Sequence, residues 1–400
     1  MTLSLDAAER RRVVAESMAR YDDRLDRERV SSLAGRHLPA VETAVEKTVS
    51  WGRDPAAYLD RVFGDGSARA DGSEETAFPP AADDPAMVVL PRNDRGDLAP
   101  YVLAQCLLAG CPYSVRPSSR EAGEYVARTY HECLTAAIRE VVGGERAASV
   151  VADLDLLDPD EFGGSDLADA APERVQLVLF GDDETLASLE AEFGAAGVEL
   201  ATVVRMGAGR SSTVLADVDP ANLDAYCRAV ARSAAFDKGD DCTSTSVVYV
   251  VGDFEFYEAA YSSLASAASD LVAGEEFAPP ADEQLTAARD QLRAVHPGET
   301  LAPDRLDVIE CTATAPVREF PTPVVQVKRA PDRESLTALM DADFAERDSL
   351  VTSVYTDDPA TVDALAPDLP ATLVKDSRPT HDVDLLEPHQ GTYLVSALRR

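Results

Sequence analysis

Apolar and polar residues alternate with two periods along the chain from Met87 onward. Short apolar, β-branched runs predict strands, and longer segments with apolar residues at helical spacing predict helices between them. The first set comprises strands at 87–90, 113–115, 175–179 and 198–204, with helices at 98–108, 120–142 and 183–193. Such alternation indicates βαβ units and a parallel sheet covered on both faces. We therefore predict an α/β fold that binds ligands at the carboxyl ends of its strands.

A second set of alternating elements follows Gly207. It comprises strands at 213–215, 246–251, 350–355 and 371–374 and near 308 and 324, with helices at 223–235, from the strand at 246–251 to about 295, at 333–345 and at 361–365. This pattern predicts a second α/β domain.

The chain therefore divides into three predicted parts. The first domain spans residues 1–205 and includes a helical amino-terminal region, and the second domain spans residues 206–375. The tail, residues 376–400, is polar until the apolar residues 393–395. For these we predict an edge strand that joins a sheet of this subunit or of a neighbouring one.

The charge balance indicates the salt environment that suits the protein and the partners that it excludes. The chain has 72 acidic and 37 basic residues and a formal charge of -35, and only four of its basic residues are lysines. Such an acidic surface repels itself at low salt, so the composition indicates a halophilic protein that stays soluble in a salt-rich cytoplasm. A nucleic acid partner is excluded unless a local basic patch exists, and the sequence contains none.

Other features exclude a membrane and a metal. No run approaches the ~18–20 apolar residues that span a bilayer, and the amino terminus lacks the apolar core of a signal peptide. The six cysteines contain no CxxC pair, and the five histidines share no metal-ligand spacing, each being interpreted as a surface or helix residue. We predict a reduced, cytoplasmic protein without a metal site.

Cys242 is the candidate nucleophile. It lies within FDKGDDCTSTSVVYV (236–250), between a loop rich in Asp and Gly and an apolar run that predicts a buried strand. Asp240 and Asp241 would raise the pKa of the thiol if they stay ionised and close, and Lys238 would oppose them. The alternative is an inert, buried thiol, which is the role predicted for three cysteines among helix-forming apolar residues: Cys106, Cys133 and Cys227.

The order of short motifs over residues 88–374 resembles the aldehyde dehydrogenase superfamily. The matching stretches are PRN at 91–93, Gly110, RPSS at 116–119, FGD at 180–182, GAGRS at 207–211, FDKGDDC at 236–242 and EFPTPV at 319–324. They are similar, in order, to the family's Pro-x-Asn, turn Gly, Lys-Pro-Ser-Glu, Thr-Gly-Ser, Gly-Gly-Lys-Ser, Phe-x-Asn-x-Gly-Gln-x-Cys and Glu-x-Phe-Gly-Pro-Val motifs. The resemblance implies a two-lobed fold with a parallel-sheet cofactor domain and an α/β catalytic domain.

The resemblance also implies catalytic roles for two residues. Cys242 would attack a carbonyl carbon and hold the acyl group as a thioester or thiohemiacetal. Asn93 would donate to the developing oxyanion together with the backbone N–H of Cys242, and one such donor typically contributes ~3 kcal/mol to lowering the barrier. The alternative for Asn93 is an Asx turn within residues 93–96.

The resemblance implies NADP or NAD as cofactor. The residues that match its binding motifs are Arg116, Ser119, Gly181, Asp182 and Glu319. Ser119 replaces a family Glu that would repel a 2′-phosphate, and the guanidinium of Arg116 can bind that phosphate, which favours NADP. An ordinary surface Arg before a helix start is the alternative. Asp182 suits a helix cap better than a pyrophosphate site.

One departure from the family decides the predicted reaction. Met206 occupies the place of the Glu that activates water for thioester hydrolysis. This resembles the acyl-CoA reductase branch, whose thioester partner is a thiol. We therefore predict reduction of an acyl thioester to an aldehyde; the alternatives are aldehyde oxidation to a carboxylate and a non-catalytic relative kept for binding or assembly. The family implies a homo-oligomer, either a dimer or a tetramer.

Overall fold

The structure, a computed structural model, describes residues 3–63, 84–91, 94–159, 171–181, 183–207, 210–239, 241–273, 286–288, 290–292, 306–318, 320, 322–345, 349–382, 384–387 and 392–398. The chain divides into two compact units. Unit 1 consists of residues 1–208 and 384–400, and unit 2 of residues 209–383.

Helices and strands follow one another in the predicted order. The main helices are α1 (Ala7–Arg24), α2 (Arg27–Ala34), α3 (Leu38–Arg53), α4 (Pro55–Phe63), α5 (Leu98–Ala109), α6 (Glu121–Val141), α7 (Gly144–Ala152), α8 (Asp183–Ala196), α9 (Pro220–Ala235), α10 (Phe254–Ala273), α11 (Arg333–Asp343), α12 (Pro359–Leu365) and α13 (Leu394–Ala397). The strands are β1 (Ala86–Val89), β2 (Tyr113–Arg116), β3 (Leu154–Leu156), β4 (Arg174–Gly181), β5 (Glu199–Gly207), β6 (Ser211–Ala216), β7 (Thr245–Val251), β8 (Asp307–Glu310), β9 (Val324–Ala330), β10 (Ser349–Tyr355) and β11 (Ala371–Asp376).

The helical amino-terminal region of unit 1 consists of α1 to α4. Helix α1 starts with a capping box: the Asp6 carboxylate accepts from the Glu9 backbone N–H at 2.7 Å, and the Glu9 carboxylate accepts from the Asp6 N–H at 3.0 Å. These bonds satisfy two of the backbone donors that every helix start leaves free. The apolar face of α1, which includes Met18 and Tyr21, is buried in the core of unit 1 together with α5 and α6.

The sheet of unit 1 is parallel, with the strand order β3-β2-β1-β4-β5. Val88 of the central strand pairs with Val115 on one side and Val178 on the other. Every residue of β1 is buried, which explains why its sequence is apolar throughout instead of alternating. Strand β3 was not predicted, because its three residues, Leu154–Leu156, are too few to show a period.

Asp94 caps the buried helix α5. Its carboxylate accepts hydrogen bonds from the backbone N–H groups of Gly96 (2.9 Å), Leu98 (3.2 Å) and Ala99 (2.9 Å). Asp94 thus forms a turn of its own with Gly96, whereas Asn93, for which the sequence suggested an Asx turn, lies outside the described residues. The pKa of Asp94 is raised to about 6, mainly by burial and secondly by the Asp97 carboxylate. Because this value still lies below neutral pH, the side chain is ionised there and serves as an acceptor.

Asp94→Ala is expected to destabilise the protein by roughly 2–3 kcal/mol, because it leaves buried backbone donors at the start of α5 without partners. The free energy of urea unfolding in molar salt measures this. Asp97→Ala is the control: Asp97 makes no cap bond to α5 and pairs with Arg95 at 3.3 Å, so its loss leaves the backbone donors of α5 satisfied and should cost clearly less than the loss of Asp94. Equal losses for both variants would contradict the capping role.

The sheet of unit 2 is also parallel, with the order β11-β10-β6-β7-β9-β8. Helices α9 and α10 cover one face through an apolar cluster that contains Val230, Val248 and Leu264. Helix α11 covers the other face, where Leu336 and Met340 pack with Val247 and Tyr249 of β7. This parallel sheet with helices on both faces agrees with the predicted α/β fold class.

The carboxyl-terminal segment differs from the prediction. Leu394–Ala397 forms a short helix, α13, instead of an edge strand. Leu394, Val395 and Leu398 have helical spacing and are buried in the core of unit 1, and the Val395 N–H donates to the Gln105 side chain at 3.3 Å. Burying this side therefore favours a helical turn. The oligomeric state stays a prediction.

A search of the helices within the described ranges found none that is both long enough and apolar enough to cross a bilayer.

Candidate active site

Cys242 lies in the segment between α9 and β7, residues 236–244, which we call the Cys242 loop. Cys242 is partly exposed. The other five cysteines, which all lie within the described residues, are buried: Cys106, Cys111, Cys133, Cys227 and Cys311. Burial raises the pKa of the Cys227 thiol to about 11 and that of Cys106 well above its ordinary value. Cys242 is therefore the cysteine that a substrate reaches without opening the fold.

The Cys242 loop approaches the backbone of another segment at Gly239. Gly239 has φ +73°, and a Cβ at this position would lie 2.7 Å from the Cα of Pro323. A glycine is required here for both reasons, because other residues rarely adopt this backbone conformation and none could approach Pro323 so closely. Gly239 belongs to the FDKGDDC stretch and Pro323 to the EFPTPV stretch, so two of the stretches that resemble family motifs are in close contact.

Asp241 builds the turn that presents Cys242. Its carboxylate is buried and accepts from the Thr243 backbone N–H at 2.8 Å and from the Thr243 hydroxyl. The Ser244 N–H donates to the Asp241 carbonyl at 2.9 Å. These bonds give the carboxylate a structural role in the loop. Asp240 and the side chain of Lys238 lie outside the described residues.

Hydroxyl groups anchor the Cys242 loop to the sheet. Ser211, the first residue of β6, donates to the Cys242 carbonyl at 2.9 Å, and Ser246 donates to the Ser211 carbonyl at 3.2 Å. Within the loop, the Ser244 hydroxyl donates to the Phe236 carbonyl at 2.8 Å. The backbone of Cys242 is thus fixed on the side of β6.

A narrow pocket of about 10 Å³ opens beside Cys242. Its lining consists of Arg210, Ala234, Gly239, Asp241, Cys242, Ser244, Thr245, Ser246, Phe320, Thr322, Pro323 and Val324. These residues cluster at the amino ends of β6, β7 and β9, whereas the prediction for the first sheet concerned the carboxyl ends of its strands. Polar side chains are available at this end of the sheet because β6 and β7 begin with Ser and Thr and become apolar only further along.

Thr322 has the one hydroxyl of the pocket lining that makes no hydrogen bond within the described part of the chain. Its side chain is buried, with 5% exposure. A buried polar group without a partner is costly, so such a group requires an explanation. The Arg210 guanidinium, which also lines the pocket, donates to the Val317 carbonyl.

Three of the predicted cofactor residues are described, and all lie in unit 1. Arg116 ends β2, is partly buried and donates to the Pro159 carbonyl at 3.2 Å. Ser119 is exposed just before α6. Gly181 ends β4. Arg116 and Gly181 are thus at carboxyl ends of the parallel strands, as predicted for the first sheet.

Three further predicted site residues lie outside the described residues: Asn93, Asp182 and Glu319. Their roles stay predictions.

Met206, which matches the family's base, is buried in the core of unit 1. It is therefore an apolar core residue and offers no proton acceptor.

His381 was predicted to be a surface or helix residue, and the structure corrects this. It is partly buried after β11, its ring stacks on the ring of Phe236 at 4.3 Å, and its Nδ1 lies 2.9 Å from the Ser233 hydroxyl. The sequence gives no local signal for this contact, because His381 lies more than a hundred residues from both partners.

Within the described ranges, no group of His, Cys, Asp and Glu could hold a metal ion.

The sequence matches no protein-family model and no curated protein at a significant level. The structure is similar to solved aldehyde dehydrogenases. One is an NAD-dependent benzaldehyde dehydrogenase from Corynebacterium glutamicum, with a TM-score of 0.70, 16% identity and coverage of 98% of this chain and 84% of that chain. Another is aldehyde dehydrogenase 21 from Physcomitrella patens in complex with succinate, with a TM-score of 0.70, 16% identity and coverage of 97% and 81%.

A third solved structure is the glyceraldehyde-3-phosphate dehydrogenase of Methanocaldococcus jannaschii in complex with NADP. Its TM-score is 0.66 at 14% identity, with coverage of 95% of this chain and 83% of that chain. Similarity at these identities establishes the fold: the chain has the aldehyde dehydrogenase fold. The predicted fold class is confirmed.

Proposed function

We propose that the protein is an NAD(P)-dependent oxidoreductase of the aldehyde dehydrogenase superfamily that reduces an acyl thioester, such as an acyl-CoA, to an aldehyde. The observation that carries the proposal is the position of Cys242. It is the partly exposed cysteine of the chain, it lies in the loop that leads into a buried central strand, and it lines a polar pocket within an aldehyde dehydrogenase fold.

The reaction begins at the Cys242 thiolate. The sulfur attacks the carbonyl carbon of the substrate, a new C–S bond forms, and the original C–S bond breaks as the thiol leaves with a proton. The acyl group stays on Cys242 as a thioester. Its carbonyl carbon then receives a hydride, which the reduced nicotinamide supplies when bound, and a proton on the oxygen completes a thiohemiacetal. Breaking the Cys242 C–S bond releases the aldehyde and restores the thiol.

Two groups in this proposal stabilise the acyl oxygen. Asn93 and the Cys242 backbone N–H are assigned to the oxyanion. The Thr322 hydroxyl, which has no partner within the described residues and lines the pocket, is available to a polar group of the bound ligand.

The residues of unit 1 fit a dinucleotide in part. The Arg116 guanidinium and the exposed Ser119 hydroxyl are suited to a ribose or its 2′-phosphate. The start of α8 is not suited to a pyrophosphate, because Glu184 follows directly after Asp183 and acidic residues at a helix start disfavour an anion there. We therefore assign the adenosine half of NADP or NAD to Arg116 and Ser119, and no phosphate to the start of α8.

Met206 favours acyl reduction over aldehyde oxidation. Oxidation requires hydrolysis of the Cys242 thioester, and this needs a base that activates water. Met206 is apolar and buried, so it cannot serve. Aldehyde oxidation to a carboxylate is the second candidate, because the solved structures of the same fold are named as dehydrogenases.

The choice between the two reactions is tested in molar salt with NADPH or NADH and a panel of acyl-CoA thioesters, and separately with the matching aldehydes and oxidised nucleotide. Acyl reduction predicts nucleotide oxidation with one free thiol released per hydride. Aldehyde oxidation predicts a carboxylate that forms without any thiol acceptor, which would contradict the first candidate. No reaction and no nucleotide binding would indicate a non-catalytic relative.

Arg116→Gln is expected to weaken NADPH binding about 10- to 100-fold, because charge-assisted hydrogen bonds to a phosphate contribute about 1.5–3 kcal/mol. NADH binding should change less than about threefold, since NADH lacks the 2′-phosphate. Fluorescence titration measures both affinities. Arg120→Gln, at an exposed arginine at the start of α6, is the control and should leave both unchanged. Equal loss for both nucleotides would contradict the assignment.

A further inference from the structure

Lys375 is a buried lysine in a chain that otherwise uses arginine for almost all of its cations. It lies in β11 with 1% exposure. Its ammonium group donates to the backbone carbonyls of Pro379 (3.4 Å), Thr380 (2.8 Å) and Asp382 (2.7 Å). A compact ammonium has three donors that can meet converging carbonyls, whereas the planar guanidinium of arginine cannot. Lys375 therefore fixes the segment 377–382, which we call the β11 loop.

The β11 loop connects the two ends of the Cys242 loop through Thr380. The Thr380 backbone N–H donates to the Ser233 hydroxyl at 3.0 Å, and the Thr380 hydroxyl lies 3.0 Å from the hydroxyls of both Ser233 and Thr245. Ser233 belongs to the last turn of α9, and Thr245 is the first residue of β7. One buried threonine thus bridges the element that enters the Cys242 loop and the element that leaves it.

His381 adds a second contact to the same loop. Its ring lies nearly parallel to that of Phe236, with an interplanar angle of 13° and 4.3 Å between centroids. Phe236 is the first residue of the Cys242 loop, and its carbonyl accepts from the Ser244 hydroxyl near the other end. The position of Phe236 therefore influences the turn that carries Cys242.

We propose that Lys375, Thr380 and His381 are positioning residues that act on Cys242 through the Cys242 loop. They hold both ends of the loop and thereby set the geometry in which the thiol meets an acyl carbonyl. The effect on turnover rests on the proposed function, whereas the effect on the exposure of the thiol does not.

Site-resolved alkylation of the full chain tests the proposal. Each variant is treated with iodoacetamide, and the rate at each cysteine is measured by peptide mass spectrometry. Thr380→Val and His381→Ala are expected to raise the alkylation rate of Cys242 about fivefold, which corresponds to the loss of one hydrogen bond of about 1 kcal/mol. His381→Phe keeps the stacked ring but loses the hydrogen bond between Nδ1 and the Ser233 hydroxyl, so its rate should lie between those of the wild type and His381→Ala.

Thr352→Val is the matched control. Thr352 is a fully buried threonine of β10 whose hydroxyl lies 2.7 Å from that of Ser212 and 3.1 Å from that of Ser349. It has the same kind of partners as Thr380 but makes no hydrogen bond to the described residues of the Cys242 loop. Its substitution should leave the alkylation rate of Cys242 unchanged. Cys227 and Cys311, which are buried in unit 2, should stay unreactive in all variants.

Turnover provides the second readout. In Thr380→Val and His381→Ala, kcat should fall about 10- to 100-fold, because small displacements of a reacting group have effects of this size, while nucleotide affinity should stay unchanged. Faster alkylation of Cys242 in a protein without any turnover would support the positioning role and refute the proposed function. An unchanged Cys242 rate, or an equal rise at Cys227, would overturn the positioning role.

Discussion

Cys242→Ala is expected to lower the turnover of acyl thioesters by roughly 10⁴- to 10⁶-fold, because Cys242 supplies the one thiol of the described pocket lining and loss of a catalytic nucleophile typically has effects of this size. The affinity for NADPH should not change, since the residues assigned to the nucleotide lie in unit 1. Steady-state kinetics and fluorescence titration of the same preparation measure the two quantities.

Cys227→Ala is the control for this prediction. Cys227 is buried in the same unit, and its raised pKa keeps the thiol protonated. Its substitution should leave turnover within about threefold of the wild type and cost about 1 kcal/mol of stability. A Cys242→Ala variant that retains more than about a tenth of the wild-type rate would end the assignment of Cys242 as nucleophile.

Lys328→Met is expected to destabilise unit 2 by about 3–5 kcal/mol, because it leaves a buried carboxylate without its counter-charge. Lys328 is fully buried on β9, and its ammonium lies 2.6 and 2.8 Å from the carboxylate oxygens of Asp343. The Tyr249 hydroxyl donates to the same carboxylate at 2.8 Å. Burial and, second, Asp343 raise the pKa of Tyr249, so the hydroxyl stays protonated as a donor. Urea unfolding in molar salt measures the loss.

Two further variants make the ion-pair prediction specific. Lys328→Met combined with Asp343→Leu should recover most of the stability, since neither charge then remains buried alone. Arg333→Met breaks a pair with Asp217 at 3.0 Å whose side chains are 48% and 54% exposed, so it should cost less than about 1 kcal/mol. A double variant as unstable as the single one would show that packing, and not the charge, carries the effect.

The order of strands and helices was predictable because burial on both faces makes the strands continuous apolar runs. Val247–Val251 is an example: it is a single apolar stretch, and the structure places it in a central strand. Such a run requires no knowledge of distant residues. The short apolar segment at 393–395 was interpreted wrongly, because a run of this length fits a strand and a helical turn equally well and only the core of unit 1 decides between them.

The candidate site was predictable only in part. Cys242 stands out locally, because Gly and Asp precede it and a strand follows. The residues that support its loop do not stand out: Thr380 lies 147 positions from Ser233 and 135 from Thr245, and ordinary hydroxyl residues carry no signal at such separations. Thr322 could not be identified from the sequence for a different reason: that its hydroxyl makes no hydrogen bond within the described residues is known only once its neighbours are known.

Trapping the acyl intermediate shows whether Cys242 is the nucleophile. The wild type is incubated in molar salt with acyl-CoA thioesters of increasing chain length and without nucleotide, and the peptides are analysed by mass spectrometry. We expect an acyl group on Cys242, formed with one equivalent of free thiol, that disappears on addition of NADPH as an aldehyde is formed. An unmodified Cys242, or an acyl group that persists when NADPH is added, would contradict it.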